Sequence, residues 1–164
     1  MKPLRYVSLL LLLLSAVVAA QSGQRAKRVQ RNEEMVVKQR IQDEWKAWYA
    51  MDVKRAGTFY AKDADLVFFD IAPHKFTGWS EYEKGVTQLL APYRSLGGSL
   101  NDDLAVKVHG NLAWSTGTVK MVGVRKDGKP DDVLNLRMTG IWERRQGTWL
   151  LVHEHVSVAL PSAT

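Results

Sequence analysis

Two histidines stand two residues apart near the end of the chain, at His153 and His155. Imidazole takes up or releases a proton near neutral pH, so each residue is a candidate acid, base or metal ligand. A metal site would need a third ligand that the pattern does not specify, and the sequence contains no cysteine. We therefore predict a pair of hydrogen-bonded pocket histidines, with no metal and no cofactor.

Two further side chains are candidates for chemistry. Arg137 carries a planar fork of donors that suits a carboxylate or an enolate oxygen. Asp70 follows a short apolar run and is the candidate carboxylate base, with His155 as the other candidate catalytic residue. The alternatives are a surface ion pair between Arg137 and Glu154, and an ordinary strand-end position for Asp70.

A β-hairpin is predicted to carry the histidines. Its turn falls at Gln146 and Gly147, because β-branched and aromatic residues flank this glycine-containing pair. Side chains along a strand alternate between its two faces. The alternation puts both histidines on one face of the second strand, with Trp149, Leu151, His153, His155 and Ser157 as its members.

The partners of these histidines depend on the length of the turn. A two-residue turn places Gly140 opposite the first histidine and Met138 opposite the second. A three-residue turn with a glycine bulge places Thr139 and Arg137 there instead. We favour the second register, because it gathers polar groups on one face of the hairpin.

A helix is predicted over residues 31–51, where apolar residues repeat at spacings of four, four and three. Its apolar face comprises Val37, Ile41, Trp45 and Trp48. We predict that Trp45, Trp48 and Tyr60 form the apolar wall of a ligand pocket. The polar wall is predicted to consist of Arg137, His153 and His155, with Asp70 at the rim.

The remaining elements follow an α+β order. A short strand over residues 66–69 precedes a helix over residues 80–90, a loop at Gly97 and Gly98, and four longer strands between residues 104 and 158. Helices at the start and a run of strands at the end are typical of the α+β class. A single domain of this length can bury an ample core.

The hairpin segments Arg137-x-Thr139 and Trp149-x-x-Val-His-x-His-x-Ser157 resemble the final hairpin of the SnoaL-like branch of the nuclear-transport-factor-2-like superfamily. The ending is also similar to that of the association domain of calcium/calmodulin-dependent kinase II. The resemblance covers residues 31–160. It implies a cystatin-like α+β fold, in which a cone-shaped, curved antiparallel sheet wraps around N-terminal helices.

The steroid isomerases of this superfamily use a general-base aspartate and an oxyanion-stabilising tyrosine. Counting from the similar turn Tyr60-Ala-Lys-Asp-Ala64, these positions fall at Phe68 and near Glu44. Neither role is matched, so the resemblance does not carry that mechanism to this chain. Asp70 shares a predicted strand face with Phe68, which leaves a displaced carboxylate as an alternative.

Residues 1–20 have the composition of a secretory signal peptide, with Lys2 and Arg5 before an apolar run and small residues at its end. The alternative is an uncleaved membrane anchor, for which the apolar run is short. Residues 21–30 are predicted to be a basic, flexible linker. Cleavage predicts a periplasmic or secreted protein that no longer contacts a membrane.

The formal net charge of +6 is carried by the first 40 residues. Residues 41–164 have equal numbers of acidic and basic side chains. Nucleic-acid binding requires a basic stripe on the folded face, and none is predicted.

Together these patterns predict an exported SnoaL-like protein that binds a small organic molecule in an apolar pocket. The expected ligand is mostly apolar and carries one acidic or carbonyl group. The alternatives are an isomerase or hydrolyase that acts on a small carbonyl compound by acid–base chemistry, and a non-catalytic dimerisation module. A homodimer is expected through the outer face of the sheet, with Leu150, Val152, Val156 and Val158 in the interface.

Overall fold

The computed structural model describes the backbone of residues 4–159 and the side chains of residues 21–159. The predicted signal peptide, residues 1–20, lies outside the residues whose side chains are described, and export stays a prediction. Within the described part of the chain, no helix is long and apolar enough to cross a membrane.

The helices precede most of the sheet in the chain. α1 spans Leu4–Tyr49, α2 spans Val53–Ala56 and α3 spans Gly78–Leu90. Residues 21–30, for which the sequence predicted a flexible linker, are helical and exposed. Most of this stretch consists of Arg, Lys, Gln and Ala, which have high helix propensity, and this explains why α1 begins before the predicted start at residue 31.

The apolar face of α1 positions two cavity residues. Val37, Ile41, Trp45 and Trp48 are all buried, which confirms the predicted face. Burial of side chains at this spacing holds α1 against the inner surface of the sheet.

Seven strands form one curved, open sheet. Their bounds are β1 Val67–Phe69, β2 Phe76–Thr77, β3 Tyr93–Leu100, β4 Ala105–His109, β5 Leu112–Arg125, β6 Leu134–Arg145 and β7 Thr148–Val158. The order across the sheet is β2-β1-β7-β6-β5-β3, and β4 also pairs with β5. The predicted α+β fold is confirmed, with one difference of detail: β1 and β7 are parallel, whereas the other pairs are antiparallel.

β3 occupies a segment that the sequence predicted as a loop at Gly97 and Gly98. In the structure both glycines pair with β5. Gly98 has a φ of 151°, and a Cβ atom built there would lie 1.9 Å from the carbonyl oxygen of Lys120. Only glycine permits two backbones to approach this closely, so the glycine pair marks a strand and the loop prediction is wrong.

Gly98→Ala is expected to lower the free energy of unfolding by about 1–3 kcal/mol, because the added methyl group must push β3 away from β5. Gly97→Ala is the matched control, since the nearest atom to its added Cβ lies 3.7 Å away. Urea denaturation of both variants and the wild type measures the difference. An equal loss of stability at both positions would contradict the close approach at Gly98.

The β6–β7 hairpin contains a β-bulge that neither predicted register included. Its turn is the two-residue kind, and Gln146 and Gly147 have φ values of 49° and 82°. Further along, the pair Trp142–Leu151 is followed by the pair Ile141–His153, so Val152 is an extra residue. Both predicted registers are therefore wrong at the histidines.

The bulge reverses which side chains of β7 point inward. Before it, the buried residues are Trp149 and Leu151; after it, they are Glu154 and Val156. Both histidines consequently lie on the outer face of the sheet. The inner face carries a carboxyl group in their place.

Candidate active site

A cavity of about 70 Å³ lies between α1, α3 and the inner face of the sheet. Most of its wall is apolar and is formed by Trp45, Trp48, Ile71, Val86, Leu89, Leu90, Leu96, Met121, Leu136 and Val156. Three polar residues complete the wall: Asp70, Tyr82 and Glu154. None of these described lining side chains is basic.

A wider groove of about 330 Å³ adjoins this cavity. Five apolar residues line both spaces: Ile71, Leu89, Leu90, Leu96 and Met121. Tyr93, Asp131 and Asp132 form the polar part of the groove. Small-molecule sites usually offer roughly 300–1,000 Å³, so a ligand larger than the cavity would occupy both spaces or displace the shared apolar residues.

Tyr82 connects the two carboxyl groups of the cavity. Its hydroxyl lies 3.1 Å from Asp70 Oδ2 and 3.3 Å from Glu154 Oε2. The backbone N–H of Ile71 donates to Asp70 Oδ1 at 2.7 Å, which fixes the orientation of that carboxyl group. The three side chains come from α3, β7 and the end of β1, and the folded sheet brings them to one wall.

A second layer of polar groups lies behind Glu154. The Tyr60 hydroxyl is 2.7 Å from Glu154 Oε2 and 2.6 Å from Glu44 Oε1. Trp48 Nε1 donates to the same Glu44 oxygen at 3.2 Å. Glu44 has no exposed surface, and Tyr60 and Glu154 are 1% and 3% exposed, so solvent does not satisfy these groups.

The number of hydrogens in this second layer restricts its protonation. A tyrosine hydroxyl has one hydrogen to donate, and an ionised carboxylate can only accept. Tyr60 therefore cannot donate to Glu44 and Glu154 at the same time. For both short contacts to be hydrogen bonds, one of the two carboxyl groups must carry a proton and donate to the tyrosine oxygen.

Burial raises the pKa of all three carboxyl groups. It raises the pKa of Glu44 to about 7, although hydrogen bonds from Tyr60 and Trp48 favour its ionised form. Burial, with the nearby charge of Glu44, holds the pKa of Glu154 well above its usual range. Burial also raises the pKa of Asp70, while the bonds from Ile71 and Tyr82 oppose the shift. Burial therefore favours the protonated form of all three carboxyl groups.

The structure brings together some of the side chains predicted for the pocket. Trp45, Trp48 and Asp70 all line the cavity. Tyr60 lies one layer behind the cavity and reaches it through Glu154.

The predicted polar wall lies elsewhere, because Arg137, His153 and His155 are on the outer face of the sheet. Arg137 is exposed and donates to the carbonyl oxygen of Val158 at 3.1 Å. His153 Nδ1 lies 2.7 Å from the carbonyl oxygen of Val67, and both histidine rings pack on Phe69. The bulge at Val152 turns both histidines away from the cavity, so their predicted position in its polar wall is wrong.

Sequence reasoning missed Glu44, Tyr82 and Glu154 as site residues. Glu44 and Glu154 could have been noticed in the sequence, because each is an acidic residue within an apolar pattern. Glu44 falls at helical spacing with the buried residues Ile41 and Trp48, and Glu154 was assigned to a strand face made of valines and leucine. An acidic residue in such a pattern indicates either a break in the pattern or a buried functional carboxyl group.

Among the described residues, no group of three His, Cys, Asp or Glu side chains is placed to bind a metal ion. The carboxyl and hydroxyl groups of the cavity wall can act as acids and bases. A protonated carboxyl can donate to an oxygen of a bound molecule, and an ionised one can accept a proton from it.

A family model for the SnoaL-like domain matches residues 37–161. Solved structures share the fold. They include a provisionally assigned dehydratase of the NTF2-like family from Streptomyces avermitilis, at 18% identity, a TM-score of 0.70, and coverage of 80% of this chain and 99% of that one.

Two other solved structures are similar. A provisionally assigned scytalone dehydratase from Novosphingobium aromaticivorans has 12% identity and a TM-score of 0.68, over 77% of this chain and 83% of that one. A provisionally assigned calcium/calmodulin-dependent protein kinase II association domain from Xanthomonas campestris has 21% identity and a TM-score of 0.59, over 70% of this chain and 79% of that one. At these identities the likeness shows the fold alone. No curated protein matches the chain.

Proposed function

The chain belongs to the SnoaL-like domain family, and we propose that it binds a small neutral carbonyl or hydroxyl compound and catalyses proton transfer on it. The reaction class is isomerisation or dehydration. The observation that supports the proposal is the placement of Asp70, Tyr82 and Glu154 on one wall of an otherwise apolar cavity. Two proteins of the same fold are provisionally named as dehydratases, which agrees with this class.

Each polar residue of the cavity has a role in the proposed reaction. Asp70, when ionised, takes the proton from the carbon next to the substrate carbonyl. Tyr82 has one hydroxyl hydrogen, so on substrate binding it exchanges its bond to a carboxyl group of the cavity for a bond to the oxygen on which negative charge develops. The protonated Glu154 donates a hydrogen bond to the same oxygen. Isomerisation ends when the protonated Asp70 returns its proton to a different carbon.

The same residues support dehydration of a β-hydroxy carbonyl compound. Asp70 removes the C–H proton, and the carbon–oxygen bond to the hydroxyl group breaks as the double bond forms. Glu154 donates its proton to the departing oxygen, which leaves as water. Asp70 is then protonated and Glu154 ionised, so Asp70 must release its proton and one proton must return to Glu154 before the next turnover.

The charge of the cavity favours a neutral ligand over an acidic one. Two acidic side chains face the space, and none of the described lining residues is basic. An anion placed there would lose its hydration and meet like charge. We therefore narrow the predicted ligand to a carbonyl or hydroxyl compound, because the arginine that suited a carboxylate lies on the outer face.

Exchange of deuterium from heavy water into a ketone tests the proposal without knowledge of the natural substrate. The probe is cyclohexanone, and exchange at its α-carbons is followed by mass spectrometry. We expect exchange above the uncatalysed rate, and binding that quenches or shifts the fluorescence of Trp45 and Trp48. Cyclohexanecarboxylate is the matched anionic probe and is expected to bind at least about 10-fold more weakly.

The results separate the two candidate functions. Binding of the ketone without exchange would contradict catalysis and favour a binding protein, which the mostly apolar wall also suits. Equal binding of the ketone and the carboxylate would contradict the argument from charge.

We also propose a homodimer through the outer face of the sheet. Trp114 is 45% exposed there and is paired with Ile141, which is paired in turn with His153. Two of the residues predicted for this interface, Leu150 and Val152, are half-buried on that face, but Val156 points into the cavity. Exposed apolar area of this kind is typical of an interface.

Sedimentation of the wild type is expected to give the mass of two chains. Trp114→Glu is expected to give one chain, because a charge would be buried in the interface. Val133→Glu is the control, since Val133 is 57% exposed and lies outside β6. A wild type that sediments as one chain would contradict the dimer. The same result would contradict the non-catalytic alternative, because a dimerisation module must form a dimer.

Export is proposed from residues 1–20 alone. The apolar run after Lys2 and Arg5 and the small residues before Gln21 support cleavage at that point. Mass spectrometry of the protein from the producing cell is expected to show a mature chain that begins near Gln21, outside the cytoplasm. An intact N-terminus in the membrane fraction would contradict export.

A further inference from the structure

We propose that Glu44, which does not line the cavity, shares one proton with Glu154 through the Tyr60 hydroxyl and so resupplies Glu154 after it has acted as an acid. The resupply part of this inference rests on the proposed function. The sharing part rests on the contacts alone. Glu44 and Tyr60 are positioning residues here, because they act through Glu154.

The contacts admit two arrangements of the shared proton. In the first, Glu154 is protonated and donates to the Tyr60 oxygen, while Tyr60 donates to an ionised Glu44. In the second, Glu44 is protonated and donates to Tyr60, which donates to an ionised Glu154. Each arrangement satisfies both short contacts, and a concerted move of two hydrogens converts one into the other.

The indole of Trp48 favours the first arrangement. Its N–H can only donate, and it points to the Glu44 oxygen that also faces Tyr60. Two donors on one oxygen suit an ionised Glu44. Glu154 is therefore the protonated partner at rest, which is the state that the proposed reaction requires.

The other Glu44 oxygen is available for a second proton. Oε2 of Glu44 is buried and has no hydrogen-bond partner in the described part of the chain, and the same holds for Nε of Arg40 one helical turn earlier. Arg40 and Asp70 are the nearby charged groups, and Tyr60, Tyr82 and Glu154 are the titratable groups around this pair. A buried unpaired oxygen is costly unless it is used, and protonation of Glu44 is the use that we assign to it.

Resupply follows the same bonds. After Glu154 has given its proton to the substrate oxygen, Glu44 and Glu154 are both ionised. Glu44 then takes up one proton that comes from solvent, and it donates to the Tyr60 oxygen as Tyr60 passes its own hydrogen to Glu154. Tyr60 stays neutral, Glu154 is again protonated and Glu44 is again ionised, so the resting arrangement is restored.

The shared proton is tested without substrate, by infrared titration of the protonated-carboxyl C=O stretch. In the wild type we expect removal of one partner, by Glu154→Gln, to shift the titration of Glu44. In a Tyr60→Phe background the same removal is expected to have a much smaller effect. A shift of equal size with and without Tyr60 would show coupling by charge alone and would overturn proton sharing.

Resupply is tested by dehydration of 3-hydroxycyclohexanone to cyclohexenone, because only dehydration consumes the proton of Glu154. Glu44→Gln and Tyr60→Phe are each expected to lower kcat for dehydration by about 10-fold or more with little change in KM, and the double variant to lose no more than either single one. Glu34→Gln, on the same helix and bonded to Gln30, is the control. Additive losses would overturn resupply. A wild type that neither exchanges deuterium into cyclohexanone nor dehydrates the hydroxyketone would contradict the proposed function, while the infrared result would still decide whether the proton is shared.

Discussion

Asp70→Asn is expected to lower the rate of deuterium exchange into cyclohexanone by about 100- to 10,000-fold, the usual contribution of a general base. The amide has nearly the same shape: its oxygen still accepts from the Ile71 N–H, and its NH2 group donates to the Tyr82 hydroxyl oxygen, so the fold and the cavity should persist. It cannot accept a proton from carbon. The loss should therefore fall on kcat, with the affinity for the ketone changed little.

Asp65→Asn is the matched control for that experiment. Asp65 is an exposed aspartate that lines neither the cavity nor the groove, and the substitution removes the same charge. Its exchange rate should equal that of the wild type. If Asp70→Asn retained more than about a tenth of the wild-type rate, Asp70 would not be the base, because general bases contribute more than this.

The free energy of unfolding is expected to fall between about pH 5 and about pH 8. The pKa of Glu44 rises from 4.5 to about 7 on folding, because burial penalises the charged form. The folded state therefore binds more protons than the unfolded state between these values. The stability that protonated Glu44 contributes is fully present below the pKa of 4.5 that it has in the unfolded state. It is lost as the pH rises through about 7, the pKa in the folded state.

The size of this fall is on the order of 3 kcal/mol for Glu44 alone, since each pKa unit corresponds to about 1.4 kcal/mol. Glu154 and Asp70 act in the same direction, because burial raises the pKa of both. Urea denaturation at several pH values measures the dependence. Most globular proteins would show the opposite trend over the acid part of this range, since their carboxylates are stabilised in the ionised form.

Glu44→Gln is expected to flatten the dependence, because the amide does not titrate. Glu34→Gln should leave it unchanged, as Glu34 lies near the surface of the same helix. A wild type whose stability rises from about pH 5 to about pH 8 would contradict a buried carboxyl cluster of this kind.

Local patterns in the sequence were sufficient to predict most of the elements. The spacing of Ile41, Trp45 and Trp48 predicted a buried helix face, because residues three and four apart lie on one side of a helix. The pair Gln146–Gly147 predicted the hairpin turn, since the left-handed φ angles of such a turn favour glycine. The resemblance of the last hairpin to SnoaL-like domains led to the correct family and fold.

Only the tertiary structure decided which face of the last strand meets the cavity. Alternation along a strand is a reliable pattern while the ladder is unbroken, and one extra residue inverts it. Nothing local at Val152 distinguishes it from its neighbours. The bulge places Glu154 inside and the histidines outside, so the cavity wall carries a carboxyl group where the sequence predicted histidines.

The carboxyl cluster likewise depends on contacts that no local pattern contains. A buried carboxylate is costly by itself, so the helical spacing of Glu44 with Ile41 and Trp48 is not sufficient to predict that Glu44 is buried. The cost is offset by hydrogen bonds from Tyr60, which stands 16 residues away from Glu44 and 94 residues away from Glu154. Groups this distant in sequence meet only after the sheet has closed around the helices, and the protonation of each then depends on all the others.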